Sequence, residues 1–169
     1  MHALRTIAPG EELTITYIDG AQARAARQAA LRRAWGFECQ CSACAAPPAL
    51  AAASDARLAL IADLRAALAH PDHALRADLP RVEALVALCE MEGLLAPAVD
   101  AYGFAAREYS GVGDAWTAVK WAVKAVEAGL LYGGPEDRDV RDLQELLRDP
   151  RSHWSWLRKV NETSGQQKQ

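Results

Sequence analysis

Three cysteines stand within six residues, in the run Cys39-Gln40-Cys41-Ser42-Ala43-Cys44. Thiolates that close together suit a soft metal ion, and zinc is the usual occupant inside cells. The C-x-C-x-x-C spacing reads as a ligand set in a reducing compartment better than as a disulfide framework. Three thiolates leave a tetrahedral zinc one ligand short. The fourth position stays open between Cys89, His2, a water and a thiolate from another chain. Cys89 falls on an apolar helical stripe, where a free cysteine behaves as a small hydrophobe. Other titratable groups offer less. Glu11 and Glu12 sit at a turn facing water, Asp19 has no partner carboxylate, and the histidines show only an accidental His70-x-x-His73 spacing. No Ser/His/Asp set, phosphate loop or glycosidase carboxylate pair is legible.

The elements that must carry the cysteines can be read on either side of them. Leu13, Ile15 and Tyr17 alternate with Thr14 and Thr16, which predicts a strand over residues 12–18. Residues 3–7 read as a second strand, and Ala8-Pro9-Gly10-Glu11 as the tight turn of a β-hairpin. Two strands alone are marginal in water and need a partner surface. Residues 21–35 predict a helix rich in Ala, Arg and Gln. All its charge is basic (Arg24, Arg27, Arg32, Arg33), which reads as a solvated face. Gly36-Phe37 ends it and delivers the chain to the cysteines. Ala45-Ala46-Pro47-Pro48 breaks regular structure, and Ser54 or Asp55 is a plausible cap for the next helix.

From there apolar stripes predict successive helices to about residue 148. They run through Leu60, Ile61, Leu64 and Leu68; through Val82, Leu85, Val86 and Cys89; and through Ala98, Tyr102 and Ala105. The clearest run is Trp116, Val119, Val123, Val126 and Leu130, at spacings of three and four. Val140, Leu143, Leu146 and Leu147 mark the last core helix, Trp154, Trp156 and Leu157 a segment that packs back, and residues 162–169 a polar disordered tail. A small–aromatic–small spacing at Ala98, Tyr102 and Ala105 returns after 20 residues at Ala118, Ala122 and Ala125. A true tetratricopeptide array repeats every 34 or so. The packing is therefore repeat-like, in antiparallel helical hairpins.

A chain of 169 residues with half its residues apolar can bury one sizeable core. The net charge of −3 gives no reason to expect direct nucleic-acid binding, and no apolar run is long enough for a membrane span. Cysteine usage places the chain in the cytoplasm or nucleus.

The residues GEELTITYID (10–19) and GFECQCSAC (36–44), in that order and spacing, resemble the end of a SET domain and its post-SET cysteine motif. The likeness covers about the first 45 residues directly, and the helical remainder looks like the C-terminal domain that some SET proteins carry. SET domains are catalytic domains of protein-lysine methyltransferases, which displace a methyl group from S-adenosylmethionine onto a lysine amine. The resemblance implies that the Tyr17 hydroxyl orients that amine, that Phe37 packs near the adenine or the lysine channel, and that Cys39, Cys41 and Cys44 hold zinc. In the family the fourth thiolate comes from the SET core. The glycine-containing motif and the Asn-His segment that line the cofactor pocket do not occur here, so the chain reads as the C-terminal part of a longer protein, inactive alone. Without the family, Tyr17 and Phe37 read as core aromatics.

The expected architecture is mainly α: residues 1–46 as a β-hairpin remnant of a SET domain with its zinc-binding post-SET loop, residues 47–161 as an antiparallel, tetratricopeptide-like helical domain, and a disordered tail. The implied partner is a protein with a target lysine. The alternative is a helical protein-interaction module, binding peptide between helices of residues 55–148, with a structural zinc loop.

Overall fold

The computed structural model describes residues 6–12, 15–70 and 78–159. Expectations for residues 3–5, 13–14, His2, His73 and the tail 162–169 lie outside these. Among the described residues the helices are α1 (Arg24–Trp35), α2 (Pro48–Ala69), α3 (Leu79–Glu92), α4 (Leu95–Gly111), α5 (Ala115–Tyr132) and α6 (Arg138–Arg148). The chain divides into two compact units, Met1–Ala62 and Asp63–Gln169.

The mainly α expectation agrees with this structure, but the β-hairpin remnant does not. Among the described residues there is no strand. The turn itself forms: the Glu11 N–H donates to the Ala8 carbonyl at 3.1 Å, and Gly10 takes φ 80° behind Pro9, as a type II turn requires. Among the described residues its flanks form no strand. Ile7, Ile15 and Tyr17, which a strand pair would bury, are 43%, 51% and 46% exposed. An alternating pattern makes a ladder only where one face has something to cover it.

α1 begins at Arg24 and ends where Gly36 adopts φ 72° and donates to the Arg32 carbonyl. Its first N–H, on Arg24, donates to the Asp55 carboxylate at 2.7 Å. Asp55 thus caps α1 from within α2, and does not cap its own helix. α2 starts at Pro48, where a missing N–H costs nothing. Among the described residues of the first unit, Leu31, Cys44, Ala51, Leu58 and Ile61 are the buried apolar ones.

In the second unit α3 packs on α4, α4 on α5 and α5 on α6. The connections are short enough to force chain reversals. Asp78, Asp114 and Asp137 cap α3, α5 and α6 by accepting backbone N–H groups. The core cluster joins Ala106 of α4, Ala118, Ala122, Ala125 and Val126 of α5, and Val140, Leu143 and Leu146 of α6. α5 therefore turns its alanine face inward. Of the expected stripe, Trp116, Val123 and Leu130 are exposed instead (Trp116 83%), Val119 is half-buried, and Val126 joins the core. Small residues let helix axes approach closely. At Gly129 an added Cβ would meet Val140 Cγ2 at 2.6 Å.

Candidate metal centre

The cysteine loop is built onto α1 by polar side chains. After Gly36 the chain runs through Cys39 without regular structure, then turns: the N–H groups of Cys44 and Ala45 both donate to the Cys41 carbonyl, at 3.0 and 2.8 Å. Gln28, one α1 side chain, grips the loop at two points. Its Nε2 donates to the Cys39 carbonyl at 2.8 Å and its Oε1 accepts from the Cys39 N–H at 3.1 Å. At the far end of the loop, Arg24 Nη1 donates to the Ala46 carbonyl at 2.9 Å.

The remaining arginines of α1 are also largely committed. Arg27, 8% exposed, donates to the Gln22 carbonyl, and Arg32 pairs with Glu38. Arg24 and Arg27 thus clamp neighbouring loops, while Arg32 and Arg33 stay on an exposed face. Sequence reasoning missed Gln28. Its only signal is a polar residue capable of both donating and accepting, one turn from the arginines.

The outcome is that the Sγ atoms of Cys39, Cys41 and Cys44 lie within 4.8 Å of one another. Thiolates sharing one zinc at about 2.3 Å each would be about 3.8 Å apart, so small rotamer adjustments bring these three onto one ion. Cys44 is buried, Cys39 half-buried and Cys41 exposed. Burial raises the Cys41 thiol, but the N–H groups of Cys44 and Ala43 and the flanking thiols bring it net below its ordinary value. At Cys39 the N–H of Cys41 lowers the thiol, yet the thiols of Cys41 and Cys44 and burial leave it net raised. Metal binding needs deprotonated sulfur, and the loop's amides favour that state. The chemistry of the donor set fits zinc. Cys89 is wholly buried in the second unit, and burial pushes its thiol up to about 11.

Tyr17 stands in an aromatic cluster leading to the same loop. Its ring meets Trp35 edge-on at 5.1 Å and Phe37 at 5.6 Å. Phe37 precedes Cys39 by two residues, so the cluster joins the cysteine loop through Phe37. Tyr17 and Phe37 are 46% and 38% exposed. Two rings this open do not by themselves enclose a methyl donor.

The second unit holds a cavity of about 610 Å³ bordered by Phe104, Arg107, Asp142, Trp154 and Lys159. Several of its charges are matched: Arg107 pairs with Asp139 and Asp142, and Lys159 with Glu108. Beside it lies a set that no sequence pattern announced. Asp142 Oδ1 is 3.2 Å from His153 Nε2, and Ser155 Oγ is 2.7 Å from His153 Nδ1. Ser155 is 3% exposed and its hydroxyl donates to Ser110 Oγ at 2.9 Å, so no nucleophile faces solvent. The network fastens residues 153–157 to α4, helped by the Leu157 N–H donating to the Ser110 carbonyl. Trp154, expected to pack back, stays 55% exposed and donates its indole N–H to Asp142.

Among the described residues, no helix is long and apolar enough to cross a membrane. The chain is similar to the histone-lysine N-methyltransferase set5 of Schizosaccharomyces pombe, with 30% identity over 171 residues. The match covers 90% of this chain and 49% of the relative, so the chain spans about half the length of the curated protein it matches. No protein-family model matches the chain, and no solved structure does. The similarity supports a relation to the SET-domain methyltransferases.

Proposed function

We propose that this chain is the C-terminal part of a SET-domain protein-lysine N-methyltransferase that uses S-adenosylmethionine, and that it does not transfer methyl groups on its own. The observation that carries this reading is the similarity to set5 over 90% of the chain. The convergence of three thiols, and the ring contact of Tyr17 with Phe37, agree with it. Residues 1–46 would then be the end of the SET domain with its post-SET motif, and residues 47–161 the helical C-terminal domain. Zinc on Cys39, Cys41 and Cys44 fixes the loop. The Tyr17 oxygen accepts a hydrogen bond from the substrate amine and so orients its lone pair. Phe37 borders the adenine or the lysine channel. The substrate is a protein with a target lysine, in cytoplasm or nucleus.

The experiment is a methyl-transfer assay with radiolabelled donor and histone protein. The 169-residue chain alone is expected to give background counts. A longer polypeptide carrying cofactor-binding segments ahead of residue 1 is expected to transfer methyl, and Tyr17→Phe to abolish most of that transfer. Robust transfer by the short chain, or a longer chain indifferent to Tyr17→Phe, overturns the reading. A second reading, a helical interaction module with a structural zinc loop, is favoured by one observation, the outward-facing Trp116. Calorimetry with the methyl donor and the longer polypeptide separates the two: binding favours the enzyme, no binding favours the module.

A further inference from the structure

Among the described residues, α5 carries a second, exposed apolar face. Trp116, Val123, Leu130 and Leu131 are 83%, 40%, 38% and 43% exposed. Lys120 and Glu127 are exposed on the same side of the helix. Positions 116, 120, 123, 127 and 130 alternate in steps of four and three, the spacing by which one helix presents a continuous seam to another. The seam runs about 21 Å along the axis. Among the described residues neither Lys120 nor Glu127 forms an ion pair; the Lys120 ammonium lies 5.2 Å from the Trp121 ring.

We propose that this seam docks antiparallel on α5 of a second copy of the chain, about a two-fold axis passing between positions 123 and 124. The charges select this occupant and this direction. Around that axis Lys120 of each copy faces Glu127 of the other, while Trp116 of each faces Leu131 of the other and Val123 lies at the centre. A parallel pairing would set lysine on lysine and glutamate on glutamate. A two-fold interface must be self-complementary, and a face with one cation and one anion equidistant from its centre meets that condition. One helix pair is small for an interface, so the dissociation constant should be on the order of micromolar.

Sedimentation equilibrium on the full chain tests this. The wild type should reach a monomer–dimer equilibrium. Lys120→Glu puts two carboxylates opposite each other at both ends of the seam, and Glu127→Lys puts two ammonium groups there. Each variant alone should associate at least about tenfold more weakly. Mixed together they should form a heterodimer, because every facing pair is again opposite in sign. The double variant should associate like the wild type, and Trp116→Ser should be monomeric with an unchanged circular dichroism spectrum. A wild-type chain that stays monomeric at every concentration overturns the proposal and leaves the seam to a different protein. A dimer indifferent to the charge swaps or to Trp116→Ser overturns it as well. Neither result bears on the methyltransferase reading.

Discussion

In the first unit the cysteine loop is held by side chains that reach for backbone atoms: Gln28 at Cys39, Arg24 at Ala46, Asp55 at the first N–H of α1. In the second unit the helices are held by what they lack. Ala118, Ala122, Ala125 and Gly129 remove bulk from α5, and Val140, Leu143 and Leu146 of α6 fill the remaining space. The first arrangement gives few buried apolar groups but places three sulfurs within reach of one ion. The second gives a dense core and no such cluster among its described residues. A metal site needs directed polar contacts, because each ligand must stop at a set distance. A helical scaffold needs only shape and exclusion of water.

This contrast can be broken most severely in the core of the second unit. Leu146→Ala empties a fully buried site and should cost about 2–5 kcal/mol in urea unfolding followed by the helix signal. Zinc affinity should not change. A weakened zinc constant in the variant would contradict this contrast.

Gln28→Ala should do the reverse. Loss of both bonds to Cys39 frees the loop and should weaken zinc binding about 10–100-fold in a competition titration, as loss of a partner behind a metal ligand usually does. The unfolding free energy of the helices should move by less than about 0.5 kcal/mol. An unchanged zinc constant would mean that the cysteines find the metal without help from α1.

A smaller effect should appear with pH. Burial raises the Asp142 carboxyl, but the Trp154 indole N–H and the Arg107 guanidinium more than offset it and hold it below its usual value. A carboxylate whose pKa is lower folded than unfolded stabilises fully above the unfolded value, and that contribution is lost as pH falls through the folded one. The second unit should therefore lose stability in the acid range below the ordinary aspartate pKa. Asp142→Asn should flatten that dependence in urea titrations at a series of pH values.

Much of the helical unit was legible because bulk and periodicity agreed. Val82, Leu85, Val86 and Cys89 are all buried, as are Val140, Leu143 and Leu146. They disagreed on α5. Its largest apolar residues define one stripe and its alanines another, and packing against α4, itself rich in buried alanine, selects the smaller one. Side-chain size pointed outward there, which is why Trp116 was misread. Of the candidate site, the cysteines were legible from spacing alone. Gln28 was not, since an amide in a helix announces no partner until the loop folds back. The strands were misread for a plain reason: alternation records a preference for a pleat, and a pleat forms only against a surface.

Cobalt titration of the reduced chain, read through sulfur-to-cobalt charge-transfer absorption, tests the metal centre most directly. One cobalt should bind per chain, with an absorption matching three thiolate bonds. Cys39→Ser, Cys41→Ser and Cys44→Ser should each remove about a third of it or all binding, and Cys89→Ser none. A spectrum without thiolate charge transfer, or one that depends on Cys89, would contradict the claim that the loop on α1 is a metal site.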